Sequence, residues 1–172
     1  MDKRQISAVL VLDALGIPAA LSSFDQRLTV QKAIYLVQES GLDLGYFFQW
    51  YIRGPYCSSV ARDLFPVIED EPSARAAALA GWSLEPGSKT KLASLKGLLV
   101  PPTAWADSLS EVVRARWLEL LASVHYLVNR GQVENDAKKV SDKLKAFNKN
   151  FSDAEVREAI RVLTGFRLLK AV

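Results

Sequence analysis

The chain contains one cysteine, one histidine and one methionine among 172 residues. A lone cysteine, Cys57, excludes an internal disulfide and any cluster of thiolate ligands. A lone histidine, His125, excludes the two-histidine zinc motifs. Long apolar runs are also missing: none approaches the roughly eighteen residues of a membrane span. Glycine is sparse, and Gly41, Gly45 and Gly54 are spaced to punctuate a strand, not to cradle a phosphate. No charge dominates. Lys and Arg number 22 against 19 Asp and Glu, a net +3 that is too small to announce a nucleic-acid binder. The pI near 9.0 keeps that option open.

What is present is ordinary globular material, 49% hydrophobic and 24% charged, which excludes wholesale disorder. At this length folding buries roughly 70% of the unfolded chain's surface, so one domain over residues 1–172 can hold a core without a metal or disulfide staple. The best internal boundary is Pro101-Pro102. The apolar stretch from Ile6 to Leu12 has the length of a signal-peptide core. Asp2 and Asp13 bracket it, however, and Gly16-Ile17-Pro18 offers no cleavage site, so the expectation is an unprocessed cytosolic protein.

Helical periodicity dominates. Ile6, Val9, Leu10, Leu12 and Leu15 predict a first helix ended by Gly16. Leu28, Val30, Ile34, Tyr35 and Val37 predict a second, capped by Ser22, Ser23 or Asp25. Ser58 or Ser59 opens a third, which Pro66 shortens or kinks. Short helices are expected over 74–80 and 90–99. Three more follow, from Ser110 to Gly131, over 133–147, and after the capping box Ser152-Asp153-Ala154-Glu155. The one strong strand signal is 45–52, where alternation places Tyr46, Phe48, Trp50 and Ile52 on one face and Phe47, Gln49 and Tyr51 on the other. Gly54-Pro55 is expected to turn the chain, and Trp82-Ser83-Leu84 to form a brief second strand. The reading is mainly α, a compact helical domain with a small β element near residues 45–53.

Catalytic chemistry is hard to assemble from these residues. A nucleophile needs an adjacent base, yet Cys57 follows a turn while His125 lies inside a long predicted helix. A buried cysteine and a core-edge histidine are the commoner explanations. Glu69-Asp70-Glu71 reads as a solvated acidic loop, not as a cation site. No catalytic residue, metal or cofactor is therefore expected. Charge is uneven along the chain: residues 130–172 hold ten Lys and Arg against six Asp and Glu. Lys138, Lys139, Arg157 and Arg161 head that basic surface, which could take nucleic-acid phosphates or an acidic protein. Interspersed acids such as Asp142 and Glu158 make a solvated helix face the simpler account.

One set of motifs is more specific. Gln31, Lys32, Tyr35 and Leu36 form a Gln-Lys-x-x-Tyr-Leu pattern in a helix. An aromatic strand through Trp50, the turn Gly54-Pro55 and a helix carrying Asp63-Leu64 follow in order. This arrangement resembles the Panacea domain, the SocA-like or GepA-like phage-associated family, and in particular its YwgA-like branch. The stretch from Trp117 to Leu127 looks like that branch's later helix, whereas 69–102 contributes no motif. The resemblance implies an antitoxin or an adaptor that delivers a toxin to a protease, with a protein partner from a toxin or defence system. Its motif residues here are Gln31, Lys32, Tyr35, Trp50, Tyr51, Arg53, Gly54, Pro55, Tyr56 and Asp63.

In physical terms, Lys32 and Tyr35 are three apart and share a helix face that can meet the aromatic strand. Phe48 and Trp50 are expected to fill the core. Tyr51, Arg53 and Tyr56 are open to either core packing or an exposed binding surface. Lys32 and Asp63 are a candidate structural pair.

Overall fold

The computed structural model describes every residue except Ala106, Ser108, Leu109 and Val172. Helices α1 (Lys3–Leu15) and α2 (Phe24–Glu39) precede a hairpin of β1 (Gln49–Tyr51) and β2 (Gly54–Tyr56). Then follow α3 (Ser58–Glu69), α4 (Pro72–Leu79), α5 (Pro86–Leu95) and a 3-10 turn over Lys96–Leu99. The chain closes with α6 (Glu111–Asn129), α7 (Ala137–Ala146) and α8 (Asp153–Gly165). The fold is mainly α with one small β element.

The helix starts follow local chemistry. Asp2, Ser23 and Ser152 each close a capping box with the glutamine or glutamate three residues on. Ser110 and Asp136 cap α6 and α7 with a side-chain oxygen. Gly16 ends α1 in the left-handed conformation. Pro66 lies inside α3 without ending it.

The centre is the pair α2 and α6, which pack against each other. Every residue of α2 from Leu28 to Val37 is buried, as is nearly all of α6 from Ala115 to Leu127. A helix covered on all sides needs neighbours all round. Here α8 covers another side of α6, α1 lies against α2, α3 and α5, and α7 against α8. One apolar cluster runs from Ala8 to Leu169, with residues on both sides of Pro101-Pro102.

The expected strand over 45–52 is shorter in the structure, and the reason is a side chain. Gln38 of α2 donates from Nε2 to the Tyr46 carbonyl (2.6 Å) and accepts from the Tyr46 N–H at Oε1 (3.0 Å). Gln31, two turns earlier, does the same for Cys57, at 2.9 and 3.1 Å. These two amides satisfy the backbone at both ends of the hairpin, where a ladder would otherwise be required. Only three residues per strand then pair, in the antiparallel register Gln49 with Tyr56, Trp50 with Pro55 and Tyr51 with Gly54.

Gly54-Pro55 is thus the second strand, and Ile52-Arg53 makes the turn. Proline is accepted in this two-stranded ribbon because it has no further strand to donate to. The expected alternation places Tyr46 and Phe48 in the core and Phe47 and Tyr51 outside, but Ile52 departs from it: at the tip it is 71% exposed. Trp82-Ser83-Leu84 is not a strand; it is an exposed loop in which Trp82 has no strand partner among the described residues.

Candidate functional site

The motif residues divide into a buried frame and an exposed rim, and the hairpin joins the two. In the frame, Lys32 is 1% exposed and its ammonium donates to the Pro55 carbonyl at 2.6 Å. The expected pair between Lys32 and Asp63 does not form. Asp63 is buried beside Arg4 (2.7 Å) and Arg62 (3.4 Å), and its backbone carbonyl accepts from Gln5. The second strand lies against α2 and α6, which brings the Pro55 carbonyl to Lys32.

Tyr35 is fully buried, with its hydroxyl 2.7 Å from His125 Nδ1 and its ring edge-on to Phe48. Burial pushes the His125 pKa down to about 4, against a hydrogen bond to the Leu168 backbone that works the other way. Burial likewise drives the Tyr35 pKa far above its ordinary value. This pair is a neutral hydrogen bond inside the core. Cys57 is also buried, and its backbone is held by Gln31. Among the described residues no hydrogen bond joins Cys57 to His125, whose Nδ1 faces Tyr35.

Beneath the hairpin lies a charged cluster that the motif pattern did not reveal. Glu119 of α6 accepts from Lys149 at 2.6 Å and stands 3.4 Å from Arg53, with the Lys149 and Glu119 side chains both nearly closed to solvent. Burial lowers the Lys149 pKa against the pull of Glu119, and lowers that of Lys32 to about 7. Ser123 is one turn beyond Glu119. Its Oγ is buried without a hydrogen-bond partner among the described residues and lies where a Cβ on Gly54 would project. Gly54 adopts φ +83°, which favours glycine. The available signal for Glu119 was an acid set inside the apolar run from Trp117 to Leu121; Lys149 offered none.

The rim is apolar and open. Tyr51 is 59% exposed, Phe24 is 51% exposed, and Ile52, Tyr56 and Phe65 stand out beside them. Together with Leu28 they wall a groove of about 560 Å³. Arg53 projects at the tip with its guanidinium over the Phe24 ring. A second cleft of about 750 Å³ lies across the tip, walled by Trp50, Glu119, Phe147 and Lys149. Trp50 is half-buried: it stacks on Phe147 and Tyr126 at 4.7 and 5.7 Å, so the expected full burial is not reached. Phe24, Ile52 and Phe65 complete the rim without belonging to any motif.

The basic C-terminal surface is largely compensated. Lys138 pairs with Asp142, Lys139 with Glu134 and Arg161 with Glu158, while Arg157 is exposed on α8. Such pairs leave alternating sign, not a single positive face. Among the described residues no three His, Cys, Asp or Glu side chains converge as metal ligands, and no helix is long and apolar enough to cross a membrane. No protein-family model matches the chain, and no curated protein matches it.

Proposed function

We propose that the chain is a protein-binding module of the antitoxin or proteolytic-adaptor kind, acting in the cytosol on a toxin or defence-system partner, and that it is not an enzyme. The observation that carries this reading is the rim: Phe24, Tyr51, Ile52, Tyr56 and Phe65 are large apolar side chains held in water around one groove. Contiguous exposed apolar surface of this sort is the usual mark of an interaction site, since isolated surface hydrophobes need no such clustering. Aromatic residues and arginine are also the side chains that dominate interface energies.

The frame supports the same reading. Lys32, Gln31 and the Glu119 cluster fix the hairpin on α2 and α6, so the rim is presented in one geometry and little ordering entropy is lost on binding. The Panacea resemblance supplies the kind of partner. Binding of nucleic acid through Lys138, Lys139, Arg157 and Arg161 is less well supported, because acids pair with three of the four.

The test is co-expression with the neighbouring gene product, followed by affinity purification. A stoichiometric complex with wild type, and relief of the partner's toxicity, is the expected result. Recovery of no partner, together with turnover of a nucleic acid or metabolite by the purified protein, would overturn the reading.

A further inference from the structure

We propose that the groove beside the hairpin tip takes an extended partner segment in which an Asp or Glu side chain stands between apolar residues. This rests on the protein-binding reading and names what that site recognises. The charge lining decides it. Arg27, Lys32 and Arg53 line the groove, and no carboxylate does. Arg27 gives its guanidinium to the carbonyls of Leu21 and Ser22, and Lys32 gives its ammonium to that of Pro55. Those partners satisfy donors but carry no compensating charge. Arg27 and Arg53 each bring a full positive charge to the lining, while Lys32, its pKa lowered to about 7 by burial, adds part of one. Among the described residues neither Arg27 nor Lys32 has a carboxylate within 4.0 Å.

The cleft across the tip has two acids in its lining, Asp25 and Glu119, and Lys149 already holds Glu119 at 2.6 Å. Arg53 reaches it only at 3.4 Å through Nη1. The remaining Arg53 donors have no partner among the described residues, and the side chain is 57% exposed. The guanidinium is already oriented by the Phe24 ring beneath it. A planar fork of free donors above an apolar groove suits a carboxylate, which can accept two parallel N–H bonds.

The neighbouring surface selects a chain segment in preference to a compact ligand. Phe24, Leu28, Tyr51, Ile52 and Arg53 line both the groove and the cleft across the tip. Apolar side chains of one extended segment can therefore fall on both sides of Arg53, with the acid between them. Opposite potentials would also steer such a segment and repel a basic one.

The experiment pans a library of random 12-residue peptides on the whole chain, then titrates a selected peptide by fluorescence anisotropy. The expected peptides carry an acid flanked by apolar residues. Replacing that acid by its amide should weaken binding at least tenfold, and Arg53→Gln or Ile52→Ser should do the same. Ile52→Ser should leave the thermal melt unchanged, and Arg53→Gln, which gives up its 3.4 Å contact to Glu119, should still melt cooperatively as a folded domain. Arg53→Lys should recover part of the affinity lost in Arg53→Gln, because charge is kept and the fork is lost. Acid and amide peptides that bind equally, selected peptides without an acid, or no selected peptide at all would overturn the proposal. Tighter binding of dodecanoate than of any peptide would overturn it too, assigning the groove to a lipid carboxylate. The same variants are carried into the co-expression purification: a complex insensitive to Arg53→Gln and Ile52→Ser overturns this proposal alone, whereas absence of any complex counts against the protein-binding reading itself.

Discussion

Gly54→Ala should destabilise the protein, and Ser123→Ala should restore a defined part of the loss. Two separable costs meet at Gly54. Its φ of +83° is a left-handed conformation, which costs an alanine about 1–2 kcal/mol. The new Cβ would also overlap Ser123 Oγ on α6, and overpacking of this kind costs about 1–3 kcal/mol. The expected total is about 2–5 kcal/mol. Removing the Ser123 hydroxyl leaves Ser123 Cβ as the nearest atom, at 3.5 Å, an ordinary contact. In that background only the backbone cost survives, about 1–2 kcal/mol.

Ser123→Ala by itself should change stability by less than about 1 kcal/mol, because its buried Oγ loses no hydrogen bond among the described residues. Urea unfolding of the four proteins, extrapolated to water, gives the coupling directly. A coupling of about 1–3 kcal/mol is expected. Equal costs for Gly54→Ala in the two backgrounds would refute the reasoning, and would mean that the hairpin does not seat on Ser123. Gly54→Val should be worse than alanine, since its branched Cβ meets the same wall.

Four further outcomes follow from the same structure. His125 has a folded pKa near 4 against an ordinary 6.5, so between those values the unfolded chain binds a proton that the folded chain does not. Stability should fall as pH drops through that window by up to roughly 3 kcal/mol, and a His125→Gln variant melted from pH 7 to 4 should lose most of that slope. Trp50→Ala should cost about 2–3 kcal/mol in urea unfolding, below the full-burial figure, because Trp50 is stacked on Phe147 and Tyr126 yet half-open. Tyr51→Ala should stay within about 0.5 kcal/mol of wild type by the same measure while weakening the partner complex. Glu119→Gln should cost about 3–5 kcal/mol at neutral pH, because it strands the buried Lys149 ammonium and removes the Arg53 contact; an unchanged urea midpoint would show that solvent reaches the cluster.

The helices were legible in the sequence because their causes are local. A cap and the residue it bonds are three positions apart, as at Ser23 and Ser152, and apolar spacing along one helix needs no knowledge of the rest of the chain. Alternation along 46–51 likewise put Tyr46 and Phe48 on one face and Tyr51 on the other, and the structure buries the first two and exposes Tyr51.

Where the reading went astray, a distant residue had decided the matter. Gln38 and Gln31 replace the ladder at either end of the hairpin, so the strand is shorter than its aromatic content implies. Lys32 is claimed by the Pro55 carbonyl and Asp63 by Arg4, choices set by which backbone the hairpin brings near α2. Glu119, Ser123 and Lys149 meet the tip only because α6 and the segment before α8 pass beneath it. The groove is of the same kind: Phe24, Ile52 and Phe65 come from three different elements. Local hydrogen bonding and side-chain spacing are written residue by residue, whereas the pairing of buried charges and the assembly of an exposed apolar rim depend on which helices pack together, and only the tertiary structure decides that.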